Sequence, residues 1–191
     1  MACSSVADPA RVARPQPLRL NHRFARWRNA SRWAATTGKR YRPKVDDSDI
    51  ALRNFTYRSF VDLGRAPSLE ETASRAGMSV DETAEGWRRL HDAHALVLNP
   101  DMASIRMANP FAAQPTPYRV VADGRSWFAN CAWDAVGICA ALNVDGRIDT
   151  TCSDCDSAIE VEVRNRRPDP DNLVFHCLVP ASHWWDDIVF S

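Results

Sequence analysis

Residues 125–142 read Arg125-Ser126-Trp127-Phe128-Ala129-Asn130-Cys131-Ala132-Trp133-Asp134-Ala135-Val136-Gly137-Ile138-Cys139-Ala140-Ala141-Leu142, an apolar helix whose first turn carries a cysteine and a carboxylate. Asn130 can serve as its N-cap, because a short polar side chain can accept one of the unpaired N–H groups there. Cys131 and Asp134 then share one face at i, i+3. A thiol in the first turn meets the positive end of the helix dipole, which favours the thiolate, the form that attacks electrophiles and binds soft metals. The plainer reading is a small buried cysteine with a solvated carboxylate one turn on. Cys139 lies eight residues further, rotated off that face, and reads as core.

Outward from the helix, Tyr118-Arg119-Val120-Val121 is strand-like and turns at Asp123-Gly124, after a proline-bearing linker from Phe111 to Pro117. On the far side Arg147-Ile148-Asp149-Thr150 is a strand running into Cys152-Ser153-Asp154-Cys155. Ile159-Glu160-Val161-Glu162-Val163 alternates with period two. Residues 164–172 are polar, and Leu173-Val174-Phe175-His176-Cys177-Leu178-Val179 predicts a buried strand. Trp184-Trp185-Asp186-Asp187 reads as packing plus a turn.

Before the linker the texture is helical. Asp46, Asp47 or Ser48 can cap a helix with Leu52, Phe55, Tyr57, Phe60 and Val61 on its apolar face, stopped by Gly64. Ser68-Leu69-Glu70-Glu71 and Ser79-Val80-Asp81-Glu82 are capping boxes opening two more helices. Ala95–Leu98 and Ser104–Ala108 flank Asn99-Pro100-Asp101 as a hairpin. Three helices and a hairpin suggest a winged helix. Its recognition position, Asp81–His94, holds four acids against two arginines, which argues against a phosphate-neutralising DNA reader and for a scaffold. The expectation is therefore an α+β protein. A basic, disordered leader (1–45) precedes a winged-helix-like three-helix domain (46–110) and a small mixed or antiparallel sheet domain with a central helix (118–191).

Charge is uneven. Residues 1–45 hold eleven Lys/Arg against one acid, and the remainder thirteen against twenty-three. The leader fits a dispensable tail, a nucleic-acid-touching segment with Trp27 and Trp33 among arginines, or a transit-like peptide. No apolar run reaches the roughly 20 residues of a membrane helix, and a secretory signal core is missing. The expected location is cytoplasmic. Six cysteines (3, 131, 139, 152, 155, 177) do not make a secreted disulfide framework and in a reducing compartment suggest metal ligands or catalytic thiols. Cys152-x-x-Cys155 is half of a zinc site, which Cys177, His176 or His183 would have to complete, or else a structural, redox or metal-sequestering pair. Its acidic neighbours Asp149, Asp154 and Asp156 should raise the thiol pKa. His91 and His94, at i, i+3, could ligate a metal but read more simply as surface residues.

Tyr118-Arg119-Val120, then Trp127-Phe128-Ala129-Asn130-Cys131-Ala132-Trp133-Asp134, Thr150-Thr151-Cys152, the alternating strand and the late Phe175-His176-Cys177 together resemble the organomercurial lyase (alkylmercury lyase) family. The resemblance covers about residues 49–191. It implies protonolysis of a carbon–mercury bond to a hydrocarbon and Hg(II), a mercury-resistance detoxification. Cys131 would take the mercury, a second thiolate would weaken the Hg–C bond, and Asp134 would pass a proton to carbon. It also implies no required cofactor, and a mercuric reductase or small thiol as Hg(II) acceptor. Cys177 is the cysteine available for the second role, although aligning on His176 puts the family's cysteine nearer Asn172. Family members also continue past the point where this chain stops. The alternatives are a non-catalytic soft-metal-binding or sensing protein, and a winged-helix regulator with the C-terminal domain as sensor. No membrane partner is expected.

Overall fold

In a computed structural model, residues 45–170, 173–175, 177 and 179–188 are described. Asp46 caps α1 (Asp47–Leu63) by accepting the Asp49 N–H at 2.9 Å, and Gly64 closes the helix in the left-handed conformation, φ 69°. Both expected capping boxes form, Ser68 with Glu71 on α2 (Leu69–Ala76) and Ser79 with Glu82 on α3 (Val80–Asp92). Each satisfies two N–H groups that a helix start leaves without a partner. α1 and α3 pack through Leu52, Phe60, Trp87 and Leu90, and the Trp87 indole N–H donates to Thr56 Oγ1 at 3.1 Å. Asp49 is buried at 1% exposure and is held by the Arg89 fork at 2.7–3.1 Å, which compensates a carboxylate taken out of water.

Eight strands follow: β1 (Val97–Leu98), β2 (Ile105–Ala108), β3 (Phe111–Ala112), β4 (Arg119–Ala122), β5 (Arg125–Ala129), β6 (Gly146–Thr151), β7 (Ala158–Arg164) and β8 (Arg167–Asp169). They form one antiparallel sheet in the order β1-β2-β3-β5-β4-β6-β7-β8. α4 (Ala132–Leu142) leaves the end of β5 and packs on β4, β5 and β6 through Ala135, Ile138, Cys139 and Leu142. The class is α+β, with four α-helices among the described residues. One core cluster runs from Leu52 on α1 to Val163 on β7. No helix of the described residues is long and apolar enough to cross a membrane.

Three expectations change. The three helices and hairpin occur in the expected order, but β2 pairs onward to β3, so the hairpin is the edge of a larger sheet and no free-standing wing is confirmed. Phe111–Ala112 is a strand, not linker: Phe111 is buried and stacks on Phe60 with ring centroids 5.7 Å apart. Among the described residues of 173–179 the expected buried strand is not found. Leu173, Val174 and Phe175 are exposed, Val174 at 90%, because β7 has already taken its outer partner, β8, through the left-handed turn Asn165-Arg166. Residues 1–44 of the basic leader, with Cys3, lie outside the described residues.

Candidate functional site

β5 delivers the chain to the site. Its alternation buries Trp127 and Ala129, and the Trp127 indole N–H donates to the Phe60 carbonyl of α1 at 3.1 Å. This ties the strand to a helix far away in sequence. At its end Cys131, not Asn130, is the N-cap. Its backbone is extended (φ −152°, ψ 179°) and its Sγ accepts the Asp134 N–H at 3.5 Å. The Asn130 side chain, freed from capping, turns to the carboxyl instead, and its Nδ2 donates to Asp134 Oδ2 at 3.0 Å and to Asn109 Oδ1 at 3.1 Å. The Asn130 Oδ1 is buried without a partner. The Cys131 thiol and the Asp134 carboxyl thus sit at one helix start, with an amide orienting the carboxyl. Trp133, between them, stands 69% exposed.

The expected thiolate bias is corrected. Cys131 is pushed up, not down, because burial outweighs the Asp134 N–H that favours the thiolate, and the Asp134 charge adds to the rise. The Trp133 N–H lowers it, and Cys177 raises it as the smallest of these causes. Asp134 is also raised, chiefly by burial, against the Asn130 N–H that favours its charge. Burial, which sequence did not reveal, disfavours the charged form of both groups. The charge of Asp134 also reaches Tyr57 on α1, whose hydroxyl is raised mainly by burial and lowered by the Arg53 guanidinium 4.6 Å above its ring. Tyr57 and Arg53 were missed as neighbours of the site. The first reads in sequence as one more apolar position of α1, and nothing local connects it with a residue nearly eighty positions on.

Cys177 is exposed, and its thiol donates to the Val179 carbonyl at 3.0 Å, which also accepts the Trp184 indole N–H at 2.8 Å. Trp185 stacks on His94 with centroids 4.0 Å apart, fastening this segment to the end of α3. His176 and Asn172, which bear on the register of Cys177, lie outside the described residues.

Cys152 and Cys155 occupy the turn between β6 and β7, where Cys152 N–H donates to Ser157 O at 2.8 Å and Asp156 N–H to Cys152 O at 2.9 Å. Cys155 is exposed, 3.1 Å from Ser157 Oγ, and its pKa is lowered by hydrogen bonds from Ser157 and then from Cys152. The expectation that acidic neighbours raise these thiols therefore fails for Cys155, where the local hydrogen bonds dominate. Among the described residues no three His, Cys, Asp or Glu side chains are grouped to hold a metal, so the donor set seen here does not make a four-coordinate zinc site. Neither His91 on α3 nor His94 just beyond it is in a ligand group among the described residues. His91 Nδ1 accepts the Leu98 N–H at 3.2 Å, and His94 carries the Trp185 stack. His183 is 2.8 Å from Asp186. Cys139 is core, and burial pushes its thiol up to about 11.

Fold and site together describe an α+β protein with a thiol and a half-buried carboxyl, raised by burial, at one helix start, the makings of a soft-metal thiol site. The family model for alkylmercury lyase matches residues 111–190, the part that carries Cys131, Asp134 and Cys177, so the resemblance to that family is shown over this segment. A solved structure described as the mercury-bound form of MerB2 has a similar fold, with a TM-score of 0.54 and 24% identity. The match covers 67% of this chain and 63% of that one, so this chain spans less than two thirds of that structure's length. No protein with a curated description matches the sequence.

Proposed function

We propose that the protein is an alkylmercury lyase-like enzyme that cleaves the carbon–mercury bond of an organomercurial cation, R–Hg(+), by protonolysis. The observation that carries this is the Cys131 sulfur and Asp134 carboxyl at the first turn of α4, joined by the 3.5 Å Asp134 N–H contact, inside the segment that matches the alkylmercury lyases. Mercury is a soft cation and thiolate its preferred ligand.

Cys131 first exchanges its thiol proton for R–Hg. Asp134, whose carboxyl is held above its ordinary range, is the nearby acceptor for that proton. Cys177 then adds a second sulfur, its thiol proton passing to solvent, and pushes electron density onto the metal. The Hg–C bond then breaks toward carbon, the Asp134 proton goes to the departing carbanion, and RH leaves. Mercury remains as Hg(II) on sulfur, with no change of oxidation state. Asn130 positions the carboxyl through its 3.0 Å hydrogen bond. The helical region 46–110 serves as scaffold, bringing α1 with Tyr57 and Arg53 beside the site. Hg(II) passes finally to a small thiol or a reductase, and the setting is a reducing, cytoplasmic one.

The test is incubation of the full chain with phenylmercury or methylmercury and headspace detection of benzene or methane. Hydrocarbon release abolished by Cys131→Ala supports the reading. Release no greater than that of the Cys131→Ala variant rejects it.

A further inference from the structure

The sheet register brings Cys152 to the same end of the sheet as Cys131. β4 pairs on one side with β5, Arg119 opposite Phe128, and on the other with β6, Arg119 opposite Asp149. Phe128 and Asp149 therefore stand in one row across the sheet. Being antiparallel to the same strand, β5 and β6 run in the same direction. Three residues further on, each delivers a cysteine at the same end, Cys131 from β5 and Cys152 from β6. The segment leading into β4 runs past that end, where Thr116 Oγ1 donates to the Ala129 carbonyl at 2.6 Å. Two strand spacings put the two backbones about 10 Å apart.

Cys152 and Cys155 share the turn between β6 and β7, which the Cys152 N–H to Ser157 O (2.8 Å) and Asp156 N–H to Cys152 O (2.9 Å) bonds close; Cys155 is exposed and Cys152 half-buried, and no third ligand is grouped with them among the described residues. Two sulfurs alone leave zinc short of the four ligands it takes, but they suffice for a thiophilic d10 cation that accepts two-coordinate binding.

We propose that Cys152 and Cys155 form an acceptor dithiol within the same chain, drawing the Hg(II) product off Cys131 and presenting it at the surface. This rests on the lyase reading for the origin of the ion, though the dithiol's capacity to bind Hg(II) does not. The transfer is ligand exchange. Cys155 sulfur forms a bond to mercury as the Hg–S bond to Cys131 breaks, and the proton lost by the Cys155 thiol ends on the Cys131 thiolate. Cys152 repeats the exchange against the other sulfur. Mercury stays Hg(II), and no oxidant or reductant takes part.

The experiment uses the full chain and its Cys152→Ser/Cys155→Ser variant. First, each is titrated with Hg(II) against a competing small thiol. The wild type is expected to hold one tightly bound equivalent more than the variant, and equal stoichiometry overturns the proposal. Second, after a single turnover of phenylmercury, free thiols are alkylated and mapped. Protection is expected at Cys152 and Cys155, with Cys131 alkylated. The reverse pattern, mercury left on Cys131, overturns the relay. The variant should release benzene in its first turnover at the wild-type yield, which controls for folding, and should slow several-fold in later turnovers when external thiol is scarce. Failure of the wild type to release benzene would count against the lyase reading, while the Hg(II) titration would still decide the dithiol site.

Discussion

Replacing Asp134 by Asn removes the ionisable proton and almost nothing else. The Asn130 Nδ2–H donates to Asp134 Oδ2 at 3.0 Å, and an amide oxygen can accept the same bond. The Asp134 N–H bond to Cys131 Sγ is main-chain and survives. R–Hg should therefore still load on Cys131. What is lost is general acid catalysis, worth about 10²–10⁴ in rate, or roughly 3–5 kcal/mol at 1.36 kcal/mol per decade. The assay is single-turnover benzene release from phenylmercury at excess protein, with intact-mass detection of the phenylmercury adduct. Adduct without benzene is the expected result. In the wild type the reactive state holds one proton between thiol and carboxyl. Both pKa values are raised, so the rate should stay level between them, falling below that of Asp134 as a second proton binds and above that of Cys131 as the last is lost. Stability supplies an independent sign. A carboxyl whose folded pKa is raised contributes stability below its unfolded pKa and loses it as pH rises through the folded value. Asp134→Asn should accordingly melt at or above the wild-type temperature at pH 7. Benzene release within threefold of wild type, with normal adduct formation, would refute Asp134 as the proton donor.

Trp127→Phe removes the indole N–H from the buried Phe60 carbonyl and should cost about 2 kcal/mol in urea unfolding; a loss under ~0.5 kcal/mol would mean that this bond does not fasten β5 to α1. Arg89→Met strands the Asp49 carboxylate, buried at 1% exposure, and should destabilise by about 2 kcal/mol. Adding Asp49→Asn should recover part of that loss, and strict additivity in the double-mutant cycle would argue against the pairing. Thiol alkylation at pH 8, followed by mass spectrometry, should label Cys155 first and Cys139 last. With its pKa pushed up to about 11, only roughly one Cys139 in a thousand is thiolate there. Early labelling of Cys139 in the folded protein would contradict its burial.

Local chemistry was legible in the sequence where it depends on few residues. Ser68 with Glu71 and Ser79 with Glu82 set the starts of α2 and α3. The spacing of Cys131 and Asp134 put both at the start of α4, the cysteine as its cap and the carboxylate in its first turn. What depends on the third dimension was not legible. The two-residue strand Phe111–Ala112 is too short to show a period, and only its pairing with β2 and β5 defines it. The apolar run from Leu173 looks like a strand, but β8 occupies the edge it would need. The direction of the Cys131 shift reversed because burial opposes the helix start. Asn130, polar and next to the cysteine, looks like the cap that Cys131 takes, since an extended backbone at 131 moves the helix start by one residue. The row linking Phe128, Arg119 and Asp149 is set by register alone, so nothing local signals that Cys152 and Cys131 lie at the same end of the sheet.

Protonolysis, the central claim, is tested most directly by a single turnover of phenylmercury in D₂O with the full chain, followed by mass analysis of the benzene. The account predicts monodeuterated benzene, one per active chain, with the product absent from Cys131→Ala. Phenylmercury retained intact on the protein, or benzene carrying no deuterium, would contradict it.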